Sequence, residues 1–188
     1  MAGPEARRLV LRGDVARDDI DDAMERFDWR ITNVFVGSAT HPGQVVYATA
    51  DRLSLLYLIE DPRLGVLYFA GTGPTIDTAL DDVRAALPVV EMDDAVASVR
   101  TAGDEANLRE SLATIVLSAG DDPSQHHIDA MRAALEHDRE TVRRAALVAA
   151  TYAAWRELQP TIAEMAHGDT EDALRTDAAR VLQALYPT

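Results

Sequence analysis

Cysteine and lysine are both missing from this sequence of 188 residues. Without cysteine the chain can form no disulfide and no thiolate nucleophile, and without lysine it can form no Schiff base. The longest apolar runs, near residues 53–59 and 64–70, are far shorter than the roughly 20 residues that cross a bilayer. The first residues also lack the apolar core of a secretory signal. A cytoplasmic protein with no membrane partner is therefore expected.

Positive charge is scarce as well. The chain carries 18 arginines against 32 acidic residues, a net charge of −14. Residues 1–90 hold 14 acids and 9 arginines, and residues 91–188 hold 18 and 9, so neither half is basic. Proteins that bind nucleic acid through its phosphates normally present a basic surface. The charge argues against a nucleic-acid partner and favours a basic protein.

The first half of the chain alternates strand and helix patterns. In order, these segments are strand 8–12, helix 18–27, strands 29–36, 44–50, 53–60 and 64–70, and helix 75–87. This order predicts an α+β module over residues 1–90, with a mainly antiparallel sheet and two helices. Asp14 is the expected N-cap of the first helix, and Asp61 to Gly65 the expected hairpin turn, with Gly65 left-handed. Whether the strand edge at 44–50 is free to pair with another chain is left open.

From residue 91 onward the pattern is helical. Helices are predicted at 92–101, 105–118, 125–137, 139–156, 159–167 and 170–185, with breaks at Gly103-Asp104, Gly120 to Pro123, Asp138, Gln159-Pro160 and Gly168-Asp169. They form three pairs, and an apolar residue followed by arginine recurs in each second helix, at Leu108-Arg109, Val142-Arg143 and Leu174-Arg175. No single hairpin could bury such an apolar face. The recurrence therefore predicts a stacked array of about three helix hairpins over residues 91–188.

Two segments of this array, His137 to Ala146 (HDRETVRRAA) and Gly168 to Ala179 (GDTEDALRTDAA), resemble HEAT-type helical repeats. In that family, an aspartate in the turn between two helices and an arginine early in the second helix commonly form a ladder between repeats. The resemblance implies this role first for Asp169 and Arg175, and next for Asp138 with Arg143 or Arg144. Asp104 and Arg109 would be a degenerate first copy. No family is recognised for residues 1–90.

No group of residues forms a convincing catalytic, cofactor or metal site. Ser38 and His41 lie close in sequence, but in ordinary loop composition without a nucleophile elbow. The segment Gly71 to Thr75 joins a strand to a helix, yet it lacks the lysine of a P-loop, so a plain turn with a threonine cap is favoured over an anion site. The acids between Asp14 and Asp22 lack the register of a calcium loop. His126 and His127 are adjacent and point about 100° apart on a helix, which disfavours a shared metal.

Tyr152, Trp155 and Arg156 are the candidate protein-binding residues. Tyr152 and Trp155 are three apart near the end of a predicted helix, so they are expected on one side of it. Packing against the neighbouring repeat is the favoured interpretation. Aromatic side chains beside an arginine are nevertheless the types that concentrate binding energy.

The leading hypothesis is a non-enzymatic protein-interaction module, a scaffold or inhibitor that uses an acidic helical-repeat surface. A specific variant is an immunity-type protein that neutralises a basic toxin or effector. The alternative class is a small-ligand-binding protein or enzyme with its site between the two modules.

Overall fold

A computed structural model describes residues 8–101, 104–120 and 122–187. Its strands are β1 (Arg8–Val10), β2 (Arg30–Phe35), β3 (Gly43–Ala48), β4 (Leu55–Asp61) and β5 (Val66–Thr72). Its helices are α1 (Arg17–Arg26), α2 (Ile76–Ala86), α3 (Met92–Thr101), α4 (Glu105–Ala119), α5 (Gln125–Leu135), α6 (Glu140–Ala153), α7 (Gln159–Gly168) and α8 (Asp172–Leu185). The predicted α+β class is confirmed. The chain divides into two compact units, Met1–Glu91 and Met92–Thr188, called the N-terminal unit and the helical unit below.

The N-terminal unit is built on one antiparallel sheet. Its strand order is β1-β5-β4-β3-β2, and each strand pairs antiparallel with its neighbours. One face of the sheet contributes Tyr47, Leu56 and Phe69 to a core that also contains Ile20 of α1 and Leu80 of α2. Burial of these side chains provides the main driving force for folding of the unit.

The hairpin turn between β4 and β5 forms as predicted. Gly65 has a φ of 68°, and its N–H donates to the carbonyl oxygen of Asp61 at 2.8 Å. The Asp61 carboxylate accepts from the N–H groups of Arg63 and Leu64. The turn therefore satisfies its own backbone groups.

The prediction that Asp14 caps α1 is wrong. The N-cap position is Ala16, whose N–H donates to the carboxylate of Asp19 at 3.2 Å. A side chain three residues into the helix thus satisfies the backbone at its start. The sequence offers several acids within this short stretch, and their composition alone does not show which one reaches the free N–H.

In the helical unit, successive helices form the hairpins α3–α4, α5–α6 and α7–α8. The first helices contact one another in the order α3, α5, α7, and the second helices in the order α4, α6, α8. Alanine at the contacting positions, including Ala146, Ala150 and Ala178, is fully buried and lets the helices approach closely. The predicted helix bounds agree to within a few residues, except at the end of α6. Gly103 and Asp121, assigned to two of the breaks, lie outside the described residues.

Within the described ranges, no helix combines the length and apolar character needed to cross a bilayer.

Candidate functional site

The two edges of the sheet differ in how their backbone is covered. At the β1 edge, the Arg12 N–H donates to Pro88 O at 3.1 Å and the Val90 N–H to Val10 O at 2.9 Å. At the other edge, none of the described residues makes a backbone hydrogen bond to the outer side of β2. The strand edge at 44–50, left open by the sequence, is not free, because β3 lies between β2 and β4. The uncovered edge is β2.

This edge is also the most exposed apolar segment of the described chain. Every residue from Arg30 to Pro42 is exposed. The apolar side chains keep a large part of their accessible surface: 56% for Ile31, 56% for Val34, 52% for Phe35 and 94% for Val36. Contiguous apolar exposure of this kind marks interaction surfaces in folded proteins.

Strand register assigns these side chains to faces of the sheet. Ile31 is opposite Tyr47 and Val34 is opposite Val45, both of which belong to or pack against the core. Directly paired residues share a face, so Ile31 and Val34 lie on the helix-covered face. Phe35 follows Val34 and therefore points to the opposite face.

An irregularity interrupts β2 at Thr32, where the register shifts between Ile31 and Asn33. The Thr32 hydroxyl donates to Val46 O at 3.2 Å, and the Asn33 side-chain oxygen accepts from the Val34 N–H at 2.9 Å. Bulges and local side-chain bonds of this kind limit uncontrolled pairing of edge strands. The β2 edge can therefore accept another strand, but the bulge and the side-chain bonds restrict which strands can pair with it.

A groove of about 400 Å³ lies between α1 and β2. Its apolar lining includes Met24, Trp29, Ile31 and Tyr47, and its charged lining is Asp21, Glu25, Asp28 and Arg30. Two of the three carboxylates are neutralised locally, Asp21 by Arg17 and Asp28 by Arg30. Glu25 makes no ion pair within the described residues. The groove therefore combines an apolar floor with a negative rim.

Tyr47 lies at the inner wall of this groove. Its hydroxyl accepts from the Arg17 guanidinium at 3.2 Å. Burial raises the pKa of Tyr47 above its ordinary value, against the opposing effect of the Arg17 charge. The phenol is neutral at physiological pH and helps to position Arg17 beside Asp21.

Ser38 and His41, the tempting nucleophile and base, are brought together in an exposed tight turn. The Ser38 hydroxyl is 3.3 Å from His41 Nδ1, and their backbones form an isolated bridge. Thr40 Oγ1 is closer to the same nitrogen, at 3.0 Å. A nucleophile needs a base that a third group orients, and within the described residues no carboxylate is bonded to His41. The contact fits a turn that links β2 to β3.

The Gly71 to Thr75 loop packs against the chain just before β4. The Ser54 hydroxyl accepts from the Thr75 N–H at 2.9 Å and bonds its side chain at 2.7 Å. A side chain at Gly73 would meet Leu53 O at 2.5 Å. Gly73 allows the two segments to approach closely. The Thr75 N–H is not available to a bound anion, because it already donates to Ser54. Thr75 stands at the N-cap of α2, but its side chain makes no capping bond there.

The candidate binding residues of the helical unit are placed differently from the prediction. α6 ends at Ala153, and Ala154 is left-handed with a φ of 50°, so Tyr152 and Trp155 do not share one helix side. Trp155 keeps only 4% of its surface, and its indole N–H donates to Gly120 O at 3.4 Å. Its ring stands edge-on to His127 with centroids 6.3 Å apart. This placement agrees with the packing interpretation of Trp155; Arg156 is exposed and Tyr152 half-buried.

The ladder residues meet across two hairpins. Arg143 of α6 forms a two-pronged pair with Asp169 of the third hairpin at 2.7 and 2.9 Å, with side-chain exposures of 12% and 3%. Arg143 also donates to the carbonyl oxygens of His137 and Asp138. Arg175, the partner that the resemblance implied first, instead donates to the Asp169 carbonyl and to the Asp172 carboxylate. Arg144 pairs with Glu140 and Asp177 at the surface.

These contacts change the protonation equilibrium of the Asp169 carboxyl group. The hydrogen bonds from Arg143 lower the pKa of Asp169, and the N–H of Glu171 adds to the effect. The Asp169 carboxylate is therefore charged well below neutral pH. Its side chain joins the second and third hairpins, while its backbone carbonyl accepts from Arg175 within the third hairpin.

The histidines do not gather into a site. His126 lies 3.7 Å from Asp93, His127 bonds Ser124 and Ser118, and His167 bonds the Ala163 carbonyl. Partial burial lowers the pKa of His127, and the neighbouring His126 adds to the shift. No group of three or more potential metal ligands occurs in the described part of the chain.

No protein-family model matches the chain, and no curated protein or solved structure is significantly similar to it. The HEAT-type resemblance therefore stays a prediction that rests on the residues quoted above.

The β2 surface was not predicted from the sequence. The segment from Arg30 to Val36 (RITNVFV) carries apolar residues without strict alternation, a pattern that does not by itself distinguish an edge strand from a central one. A strand buried on one face normally alternates apolar and polar residues. Only the strand order shows that this segment is at the edge, where such a pattern leaves apolar side chains in solvent.

Proposed function

We propose that the chain is a non-enzymatic protein-interaction module that binds an extended segment of another protein along β2. The observation that carries the proposal is the coincidence of an unpaired strand edge with four exposed apolar side chains, Ile31, Val34, Phe35 and Val36. Strand addition to such an edge gains affinity from main-chain hydrogen bonds, and the alternate side chains supply specificity.

This proposal places the binding surface on the N-terminal unit, whereas the sequence favoured the helical repeats. Among the described large hydrophobic side chains of the helical unit, only Val148 is exposed, at 41%. It borders a smaller groove of about 270 Å³ between α6 and α8, together with Arg144 and Arg180. The helical unit offers less apolar surface for a partner, so we assign it a scaffolding role.

The test is capture of partners by the full chain, with one substitution on each surface. Val34→Lys introduces a positive charge on the β2 edge, and Val148→Lys introduces the same charge on the helical unit. A lysine at either position is the sharper choice, because edge strands that avoid pairing often carry lysine and a basic partner is repelled by it. We expect Val34→Lys to abolish capture and Val148→Lys to leave it unchanged, with both variants retaining the circular dichroism of the parent. Capture that survives Val34→Lys but is lost in Val148→Lys would move the function to the helical unit.

An inhibitor of a basic toxin or effector is the second candidate, and the net charge of −14 favours it. Complementary charge accelerates encounter between proteins at low salt. The association rate with such a partner should fall steeply as ionic strength rises. A rate that is independent of salt would remove this candidate.

A further inference from the structure

We infer that the segment bound along β2 is basic, with arginine or lysine side chains on the helix-covered face and apolar side chains on the other face. This inference rests on the proposed strand addition and adds the chemistry of the partner. It follows from the position of the acidic groove relative to the exposed edge.

A strand paired outside β2 would continue the sheet, and its side chains would alternate between the two faces. On the helix-covered face they would meet Ile31 and Val34, and beyond them the groove beside α1. On the other face they would meet Phe35. The two faces of the added strand therefore encounter different chemistry.

The groove face favours long cationic side chains. Arginine and lysine lay their aliphatic stems along apolar surface while the charged end stays hydrated. Here the stems would cover Ile31 and Val34, and the charged ends would reach the rim formed by Asp21, Glu25 and Asp28. Glu25 is the strongest candidate contact, because Asp21 and Asp28 are already paired with arginines.

The wider charge of this region has the same sign. Residues 17–30 contain six carboxylates and three arginines. Asp18 and Asp22 are exposed and, like Glu25, make no ion pair within the described residues. An approaching basic segment gains from this field, and an acidic one is repelled.

The same field disfavours a second copy of this chain as the occupant. Two β2 strands paired antiparallel are related by a two-fold axis perpendicular to the sheet, so the same surface of each copy meets the other. Both α1 helices would then lie on one side of the joined sheet, with their carboxylates facing each other across the junction. Like charges so placed oppose association.

The test measures binding of short labelled peptides to the full chain by fluorescence anisotropy. One peptide alternates valine and lysine, and the matched peptide alternates valine and glutamate. The protein variants are Glu25→Lys in the groove and Asp22→Lys on the same helix outside the groove, which carry the same change of charge. Val34→Lys tests the edge itself, and sedimentation of the free protein tests self-association.

We expect the valine–lysine peptide to bind, and the valine–glutamate peptide to bind far more weakly. Glu25→Lys should weaken binding of the lysine peptide about tenfold, while Asp22→Lys changes it much less. Added salt should reduce the difference between the peptides.

Equal binding of both peptides, with no effect of Glu25→Lys, would overturn the inference about charge while strand addition stands, provided that Val34→Lys still abolishes binding. Binding that is insensitive to Val34→Lys, or absent for both peptides, would overturn the inference together with the proposed function. A dimer that Val34→Lys dissociates would show that a second copy occupies the edge, and would also overturn it.

Discussion

The N-terminal unit and the helical unit differ in what their outermost elements leave in solvent. The helical unit closes its contacts between hairpins with buried alanines and with the Arg143–Asp169 pair. In the N-terminal unit, β3, β4 and β5 carry buried side chains on both faces of the sheet, but the edge strand β2 remains exposed along its whole length. We therefore propose that the residues that determine folding stability and those that bind a partner lie in different parts of the chain. Substitutions in the core and between hairpins should change stability, and substitutions on β2 should change binding.

Each unit holds one of the two tryptophans, Trp29 and Trp155, so their stabilities can be followed separately. A chain with Trp155→Phe reports the N-terminal unit through Trp29. A chain with Trp29→Phe reports the helical unit through Trp155. Denaturant unfolding of these two backgrounds provides the measurement for the stability predictions below.

The largest effect is expected from a charge placed in the core of the N-terminal unit. Val83 of α2 is fully buried, and Val34 on β2 is 56% exposed. Val83→Asp should lower the free energy of unfolding by about 4 kcal/mol or more, because a buried unpaired charge loses its hydration. Val34→Asp should change it by less than about 0.5 kcal/mol. Equal costs at the two sites would show that β2 is not a free edge.

The next effect concerns the link between hairpins. Arg143→Ala leaves the nearly buried Asp169 carboxylate without its partner and should destabilise the helical unit by about 3 kcal/mol. Arg144→Ala removes only surface pairs and should cost about 0.5 kcal/mol. If both variants cost the same, the Arg143–Asp169 pair does not join the hairpins.

The destabilisation caused by Arg143→Ala should also depend on pH. Because the pKa of Asp169 is lowered in the folded chain, its stabilisation is present above the unfolded pKa of about 4 and is lost as pH falls through the folded value. The stability difference between the parent and Arg143→Ala should therefore narrow below about pH 4. A difference that stays constant through this range would contradict the assignment.

A smaller cost is expected at the close approach beside β4. Gly73 has a φ of 121°, and an added Cβ would meet Leu53 O at 2.5 Å, so Gly73→Ala should cost about 2 kcal/mol. The matched control is Gly120→Ala, where φ is 59° and nothing lies within 4 Å. There only the backbone opposes the change, at about 1 kcal/mol or more, because a φ of 59° with a ψ of −140° is a conformation that residues other than glycine rarely adopt. A Gly73→Ala variant as stable as the parent would mean that the loop does not pack against residues 53–54.

The smallest expected effect is a pH response of the helical unit. His127 has a lowered pKa in the folded chain, so below the unfolded value of about 6.5 the unfolded state binds a proton that the folded state does not. Stability of the parent should fall as pH drops from about 6.5 toward the folded pKa, and His127→Gln should remove this slope. His41→Gln, in an exposed turn of the other unit, serves as the control.

The elements themselves could be predicted from the sequence because their patterns are local. Apolar spacing, the turn at Asp61 to Gly65 and the breaks at glycine and proline placed all five strands and eight helices of the described chain to within a few residues. The prediction that Asp14 caps α1 was wrong, because several acidic residues lie close together and only the backbone geometry determines which carboxylate reaches the free N–H. The prediction that Trp155 lies on one side of a helix with Tyr152 was wrong, because α6 ends at Ala153 and no glycine or proline marks that end in the sequence.

The candidate site could not be predicted, because it depends on strand order. Nothing local to Ile31, Val34 or Phe35 distinguishes an edge strand from a central one; the pairing of β3 with both β2 and β4 decides it. The groove likewise joins Glu25 of α1 to residues of two strands. In the helical unit, Arg143 and Asp169 were both named by the resemblance, but their pairing across hairpins required the fold.

Backbone hydrogen exchange of the full chain, free and with its captured partner, tests the account most directly. If β2 receives an added strand, the amides of residues 31–36 that face away from β3 should exchange quickly in the free chain and slowly in the complex, while the amides of α6 and α8 stay unchanged. Protection on α6 and α8 with no change in β2 would show that the partner binds the helical unit and not the β2 edge.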